Sequence, residues 1–136
     1  MEYEVIKENQ LFEVKEKNSE YAIDLKNRLF KFAVNTIKFL GTLPHKKEYD
    51  VFRYQLSKSA TSMGANYEEA QGAISRKEFA SKVGICLKES KESNYFFRVI
   101  EALEIGDQSE CVRLVKESDE LQKIFGSIAK KVNLNK

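Results

Sequence analysis

The sequence contains little proline or glycine and no long apolar run. One Pro and six Gly in 136 residues are too few for an all-β protein with many tight turns. No stretch approaches the roughly 20 apolar residues that a membrane-spanning helix needs. The first ten residues, MEYEVIKENQ, lack the basic and apolar regions of a secretory signal. These absences argue against a turn-rich β fold, a membrane partner and secretion, so we expect a soluble cytoplasmic protein.

Histidine and cysteine are also scarce, which excludes most metal sites. The single histidine, His45, follows Pro44 in a predicted turn, and no Glu-x-x-His motif of the di-iron bundles occurs. Cys86 and Cys111 have neither the spacing of a zinc site nor that of a redox motif. Along a helical hairpin they would lie roughly 20 Å apart, so no disulfide is expected. The sequence therefore predicts no metal and no cofactor.

The net charge is small but unevenly distributed. The formal charge is +2, and residues 1–50 balance nine basic against nine acidic residues. Residues 51–98 hold eight basic and five acidic residues, which leaves an excess of three positive charges. This excess is a mild electrostatic bias, well short of a basic tail.

Hydrophobic periodicity predicts four helices joined by short turns. A break at Gly41 and Pro44 ends the first helix, and a Ser75-x-x-Glu78 capping box begins the third. The predicted helices span about 19–40, 48–71, 75–104 and 107–132. Because the connections are short, neighbouring helices should be antiparallel. We expect an all-α, up-down-up-down four-helix bundle over 19–136, preceded by an N-terminal arm at 1–18.

The second predicted helix contains a run of small residues, QLSKSATSMGAN, at 55–66. A linker and a phosphate-binding loop are the alternatives to a helix. Spacings of four and three residues from Phe52 to Ala70 favour a helix, and a single Gly argues against a phosphate loop. Small side chains let a neighbouring backbone approach closely. Which face they serve stays open: if Ser59 and Met63 line the core, then Gly64, with Ser57 and Thr61, packs against another subunit.

Two further features of the pattern concern packing. Asn66 lies on the seam of the second helix, and a buried amide needs partners, so we predict that Asn66 and Glu69 make structural polar contacts that fix helix register. The stretch YFFRVIEAL at 95–103 spreads large apolar side chains over an arc of roughly 200°. This arc is either central in the bundle or also meets another subunit. The predicted oligomer-interface residues are Gly64, Tyr95, Phe96 and Val99.

The positive excess permits binding to nucleic acid. At 100° per residue, Lys77, Lys88 and Lys91 share one helix face, whereas Lys82 lies off it. Such residues would neutralise phosphates, although a lone stripe of lysines is more often a solvated surface. Glu89 and Glu92 are predicted to pair with lysines or to face solvent. The predicted nucleic-acid-binding residues are Lys58, Arg76, Lys77, Lys82, Lys88 and Lys91. No nucleophile, phosphate loop or metal motif accompanies them, so we do not expect an enzyme.

Several motifs together resemble those of one family. They are Leu-Pro at 43–44, Gln-x-x-Lys-Ser-Ala-x-Ser-Met-x-Ala-Asn-x-x-Glu at 55–69, Ser-Arg-Lys-x-Phe at 75–79 and Lys-Glu-Ser-x-Glu-x-x-Tyr at 88–95. The chain resembles, over about residues 20–130, the four-helix-bundle proteins encoded in intervening sequences of bacterial 23S ribosomal RNA genes. These are also labelled S23 ribosomal proteins.

The same fold is similar to the accessory variability protein of diversity-generating retroelements. That protein is a barrel-shaped homopentamer with a basic surface, which binds nucleic acid and a reverse transcriptase. The resemblance implies a homo-oligomer, a pentamer, that binds RNA or DNA, with structured RNA as the leading ligand. It equally implies a protein-interaction scaffold that docks a reverse transcriptase, which the modest net charge favours. The resemblance supplies no catalytic residue.

Overall fold

A computed structural model describes residues 19–133, which form four α-helices. Helix α1 spans Ser19–Leu40, α2 Asp50–Gln71, α3 Arg76–Leu103 and α4 Gln108–Asn133, and a turn of 3₁₀ helix at Lys47–Tyr49 precedes α2. These bounds differ from the predicted ones by no more than two residues. The predicted arm at 1–18 lies outside the described residues. Within the described part, no helix is both long and apolar enough to cross a bilayer.

The order of contacts between neighbouring helices shows that the helices run in opposite directions. Between α2 and α3, Ser59 meets Ser93 at 2.8 Å, whereas further along α2 Glu69 meets the earlier residue Lys82 at 3.6 Å. The same reversed order relates α3 to α4 and α4 to α1. The predicted all-α bundle is confirmed, and its neighbouring helices are antiparallel.

Local hydrogen bonds account for the starts of α3 and α4. The Ser75 hydroxyl accepts a bond from the Glu78 backbone N–H at 3.1 Å, and the Glu78 carboxylate accepts one from the Ile74 N–H at 3.3 Å. The Asp107 carboxylate accepts from the Glu110 N–H at 3.2 Å in the same way. Each side chain satisfies a donor that the first helical turn leaves without a partner.

The turn between α3 and α4 depends on Gly106. This residue has a positive φ of 74°, and a Cβ added to it would come within 2.9 Å of the Thr42 hydroxyl oxygen. The Thr42 hydroxyl in turn accepts a bond from the Asp107 N–H at 2.9 Å. A glycine is therefore required for the close approach that joins the end of α1 to the start of α4.

The core is aromatic near one end and polar near its middle. Phe97 receives the rings of Phe32 and Phe39 edge-on, with centroids 6.0 and 5.7 Å away. Below this cluster the Asn94 amide donates to the Ser118 hydroxyl and to a backbone carbonyl of α4, both at 3.1 Å. These bonds link α3 to α4 as the Ser59–Ser93 pair links α2 to α3. Such paired polar groups favour one helix register over its neighbours.

The prediction of a cross-helix contact at Asn66 is wrong. The Asn66 amide donates to the carbonyl and the hydroxyl of Ser62, at 2.9 and 3.0 Å, one turn earlier in its own helix. Asn66 is only partly buried because it lies at the rim of the α2–α3 contact. The inter-helix amide of the core is Asn94 instead. Glu69, the other predicted polar contact, does join α2 to α3 through Lys82.

Gly64 contacts a neighbouring helix of its own chain. A Cβ at Gly64 would lie 3.5 Å from the Leu29 Cβ of α1, and the place of Gly64 in a subunit interface stays a prediction. Ser59 and Met63 are fully buried, as a core assignment requires. The small residues therefore serve close packing of α2 against its own neighbours. The apolar side chains of 95–103 have two different environments. Phe97 and Ile100 are buried in the core, whereas Tyr95 and Leu103 are about half exposed.

Candidate nucleic-acid interface

One arc of the outer face of α3 is basic, with Glu78, Glu92 and Glu101 at its edges. At 100° per residue, eight exposed positions of this helix fall within this arc. They are Lys77, Ser81, Gly84, Lys88, Lys91, Tyr95, Arg98 and Ala102. The basic positions extend over about 31 Å of helix axis at ~1.5 Å per residue. A surface of this composition attracts polyanions along its whole length.

The predicted basic residues do not all lie on this face. Lys77, Lys88 and Lys91 do, and they form no ion pair with another described residue. Lys82 lies instead between α2 and α3, where it pairs with Glu69. Arg76 is partly buried in the first turn of α3, and its Nη2 atom is shielded from solvent. Lys58 is exposed on α2, across the α2–α3 contact.

Arg98 extends the stripe and was absent from the predicted set. Its Nε donates to the Asn94 side-chain oxygen at 2.9 Å, and its guanidinium lies 5.6 Å from the ring centre of Tyr95. These two contacts orient the guanidinium while its outer nitrogens face solvent. The signal in the sequence was position, because Arg98 follows Lys91 by seven residues and so returns to the same face.

Helix α4 adds a second basic row. Lys116, Lys123 and Lys130 recur at intervals of seven residues and are exposed. At 100° per residue Lys123 and Lys130 lie between the solvent side of α4 and the side that contacts α3, which is marked by Val115 and Gly126. Lys116 faces solvent and also lines the groove between α4 and α1. We call the two rows together the basic face. It comprises Lys77, Lys88, Lys91, Arg98, Lys116, Lys123 and Lys130.

A buried carboxyl lies beside this face, between α2 and α3. Glu89 is only 8% exposed, and its Oε2 atom has neither solvent contact nor a hydrogen-bond partner among the described residues. Burial raises the pKa of Glu89, and the nearby Glu92 raises it further, while Lys88 and Lys58 act in the opposite direction. The expectation that Glu89 faces solvent or forms an ion pair is wrong, because its position between Cys86 and Ser93 points it towards α2.

Helix α1 presents a different surface, with exposed apolar side chains. We call it the α1 stripe: Ile23, Phe30, Val34 and Ile37, joined by Tyr54 of α2. Phe30 is 68% exposed and Tyr54 65%. With five large apolar residues between about one third and two thirds exposed, the stripe presents apolar surface on the order of 500 Å². The largest patch on a typical monomer has a similar area and often has a function.

The groove between α1 and α4 is a weaker candidate for a binding site than the basic face or the α1 stripe. It has a volume of about 380 Å³, and most of its charged lining is paired, with Lys31 and Lys116 as the exceptions among the described residues. Arg28 bonds Glu117 in bidentate fashion at 2.6 and 3.1 Å and also meets Glu120 at 3.2 Å. The described residues contain no cluster of three His, Cys, Asp or Glu side chains that could hold a metal ion.

Comparison with known proteins bears on the whole bundle. Residues 21–127 match the family model described as 23S rRNA-intervening sequence protein. The chain is also similar to a crystal structure of a protein of unknown function, from the S23 ribosomal protein family of Bacteroides thetaiotaomicron VPI-5482. The two are 31% identical with a TM-score of 0.69, over 77% of this chain and 97% of that chain. No curated protein sequence matches this chain.

Proposed function

Because this chain belongs to the 23S rRNA-intervening sequence protein family, we propose that it is a non-enzymatic homo-oligomer that binds structured RNA through its basic face. The observation that supports this most directly is the α3 row, which places four basic side chains on one arc of the helix, with the exposed Glu78 and Glu101 on either side of that arc. Four basic side chains along that row would contact phosphates. The α4 row would contact the same ligand, with Lys123 partly neutralised by Asp119 at 3.0 Å.

Counterion release sets the expected strength of binding. Each neutralised phosphate of a duplex contributes about −0.9 to the slope of log K against log salt. One α3 row therefore predicts a slope of about −3.6, which corresponds to weak binding by a single chain. An oligomer that presents several rows to one RNA gains avidity without any new contact. Self-association is thus part of the proposed function.

The α1 stripe supports self-association. A standard interface buries about 800 Å² on each partner, of which about 65% is apolar in homodimers. The about 500 Å² estimated for the stripe meets that requirement. A five-membered ring needs a second, different surface for the next copy. The apolar end of the α2–α3 contact provides one, formed by Val51, Phe96, Val99 and Leu103, with Tyr95 at its border with the basic face.

Filter binding of a structured RNA tests the proposal. We expect retention at low salt and a steep loss between about 50 and 200 mM salt. Replacing Lys77, Lys88, Lys91 and Arg98 with Glu should abolish retention while the helical circular dichroism stays unchanged. The matched control makes the same charge change at Lys31, Lys38, Lys46 and Lys47, which are exposed and lie off the basic face. Equal losses in both variants, or no retention of the wild type, would contradict the proposal.

The α1 stripe also favours a second candidate, a protein-interaction scaffold. An apolar patch that no second copy covers is available to another protein, such as the reverse transcriptase of a diversity-generating retroelement. The oligomeric state and the gene neighbourhood separate the two candidates. A monomer at micromolar concentration, encoded beside a reverse-transcriptase gene, would support the scaffold. An oligomer encoded within a 23S rRNA gene would support the RNA-binding function.

A further inference from the structure

The Arg98 guanidinium is held in place before any ligand arrives. Its Nε donates to the Asn94 side-chain oxygen at 2.9 Å, and its central carbon lies 5.6 Å from the ring centre of Tyr95. The three lysines of the α3 row make no such contact with another described residue. A flexible side chain loses conformational freedom when it binds, whereas a preorganised one has already lost it. Arg98 is therefore the cation of this row best suited to hold a ligand group in one fixed geometry.

Asn94, which orients Arg98, is itself fixed by α4. It is 6% exposed, and its Nδ2 donates to the Val115 carbonyl and to the Ser118 hydroxyl, both at 3.1 Å. The Ser118 hydroxyl donates in turn to the Leu114 carbonyl at 2.7 Å. Because a carbonyl only accepts and a guanidinium only donates, the Asn94 amide has one possible orientation, with its oxygen towards Arg98. A chain of hydrogen bonds therefore runs from the α4 backbone to the basic face.

These contacts leave the outer nitrogens of Arg98 free for a ligand. Arg98 is exposed, and within the described helices it forms no ion pair, not even with Glu101 three residues later. Because Nε is engaged, the open donors are those of Nη1 and Nη2, which lie side by side in the guanidinium plane. Two oxygens of one phosphate accept from such a pair in bidentate fashion. A carboxylate offers the same two oxygens, but only a chain of phosphates also matches the basic residues that continue along α3.

We propose that Arg98 binds one phosphate of the RNA through Nη1 and Nη2, and that Asn94 is the positioning residue for this contact. This inference rests on the proposed RNA-binding function and identifies the contact that sets the register of the RNA on the basic face. Flexible lysines neutralise phosphates over a range of positions, whereas an oriented guanidinium binds a phosphate in one position. The hydrogen bonds from Asn94 to α4 thus serve ligand binding as well as helix packing.

A charge-conserving exchange tests the Arg98 contact. The probe is an RNA hairpin titrated against the full chain, and filter binding gives its Kd over a range of salt concentrations. Arg98→Lys keeps the net charge but loses the two parallel donors, so the Kd should rise about fivefold or more while the salt slope stays unchanged. Arg113→Lys is the matched control, because Arg113 is exposed in the groove between α1 and α4 and lies off the basic face. This control should leave the Kd unchanged.

A double-mutant cycle tests the positioning role of Asn94. In an Asn94→Ala background the guanidinium has lost its acceptor, so Arg98→Lys should raise the Kd by less than about twofold. Ser118→Ala is the comparison background, because it removes one α3–α4 hydrogen bond while the Val115 carbonyl still holds the Asn94 amide. Most of the Arg98→Lys effect should remain there. Every Kd is measured below the melting temperature of its variant.

Nuclear magnetic resonance of the wild type measures the orientation of Arg98 without any substitution. The Nε–H of Arg98 should show restricted motion in the free protein, because the Asn94 oxygen accepts its hydrogen bond. The Nε–H of Arg113 is the internal comparison, since no described residue accepts a hydrogen bond from it. Equal mobility of the two groups overturns the positioning role, even where Asn94→Ala fails to fold.

The outcomes distinguish this contact from the function on which it rests. No binding of RNA by the wild type overturns both. Binding that Arg98→Lys and Arg113→Lys affect equally overturns the Arg98 contact and leaves the proposed function standing. An Arg98→Lys effect that persists in full without Asn94 overturns the positioning role alone. A loss at Arg98 that nearly vanishes in the Asn94→Ala background establishes both parts of the proposal.

Discussion

Burial decides the chemistry of single residues in this bundle. Both thiols are buried, and burial raises the pKa of Cys86 to about 12 and that of Cys111 to about 11. They behave as small core side chains, as their sequence spacing indicated. The environment of Glu89 was not predicted. The helical period of α3 placed Glu89 beside the core positions but did not show that its side chain is buried. The difference is one helical position, which a single sequence does not resolve.

The raised pKa of Glu89 predicts a pH dependence of stability. An unfolded glutamate has a pKa of about 4.3, so the folded state holds this proton more tightly than the unfolded state. Stability is then lost as the pH rises from that value through the folded pKa. Glu89→Gln removes the effect and should melt higher than the wild type at neutral pH, with an advantage that shrinks in acid. Melting curves followed by circular dichroism between acid and neutral pH check this. A variant that melts lower at every pH would contradict it.

At the scale of helices and their contacts, local signals were more informative than tertiary ones. The Ser75 side chain acts within four residues of itself, so its capping pattern predicted the start of α3 directly. The partner of Asn66 was predicted wrongly, and the sequence did not show that Gly64 contacts α1. The period of α2 shows which residues lie near its seam, but the partner helix depends on how the whole bundle closes. The inter-helix role belongs to Asn94, which lies between Ser93 and Tyr95 and gave no signal in the sequence.

Gly64 provides a test of this packing. Gly64→Ala places a methyl group 3.5 Å from the Leu29 side chain, an ordinary contact, and gains up to about 1 kcal/mol of helix propensity. Gly64→Leu overfills the α1–α2 contact and should cost about 1–3 kcal/mol. Urea unfolding of the two variants measures both effects. If Gly64→Leu splits an oligomer while the chain keeps its stability, the intrachain placement of this residue is wrong.

The candidate site was predictable in part, for the same physical reason. Lys77, Lys88 and Lys91 share a face because of helix geometry alone, so their grouping followed from the sequence. Lys82 lies on a different side of α3, the side that faces α2, where it forms an ion pair with Glu69. The α4 row was missed because Glu117, Asp119 and Glu120 follow Lys116 and cancel its charge in any local count along the sequence. Its place beside α3 exists only after the helices pack.

At the scale of the whole molecule, the charges are unevenly distributed over the surface. The formal charge of +2 averages over a basic face on α3 and α4 and an ion-paired contact between α1 and α4. Mean composition therefore understates the potential that a polyanion would meet. The α1 stripe occupies yet another side of the bundle. One small protein thus presents an apolar surface and a cationic surface that do not compete for the same ligand.

The α1 stripe predicts the effect of surface mutations on assembly. Phe30→Ser together with Ile37→Ser should convert an oligomer to a monomer in light scattering, because both side chains are exposed and would be buried only between copies. The fold should be retained, since neither side chain belongs to the core. Ile74→Ser is the matched control, because Ile74 is 90% exposed in the α2–α3 turn and lies off the stripe. A wild type that is already monomeric, or a control that dissociates equally, would count against this interface.

The hydrogen bond from the Asp107 N–H to the Thr42 hydroxyl has a consequence for the order of folding. Most contacts of the bundle join helices that follow one another in the chain, and such contacts form quickly because little loop entropy is lost. The Thr42 bond spans 65 residues and connects the first helix to the last. Closing so long a loop costs more conformational entropy than closing the short turns between neighbouring helices. We therefore expect this bond to form late in folding, after neighbouring helices have paired.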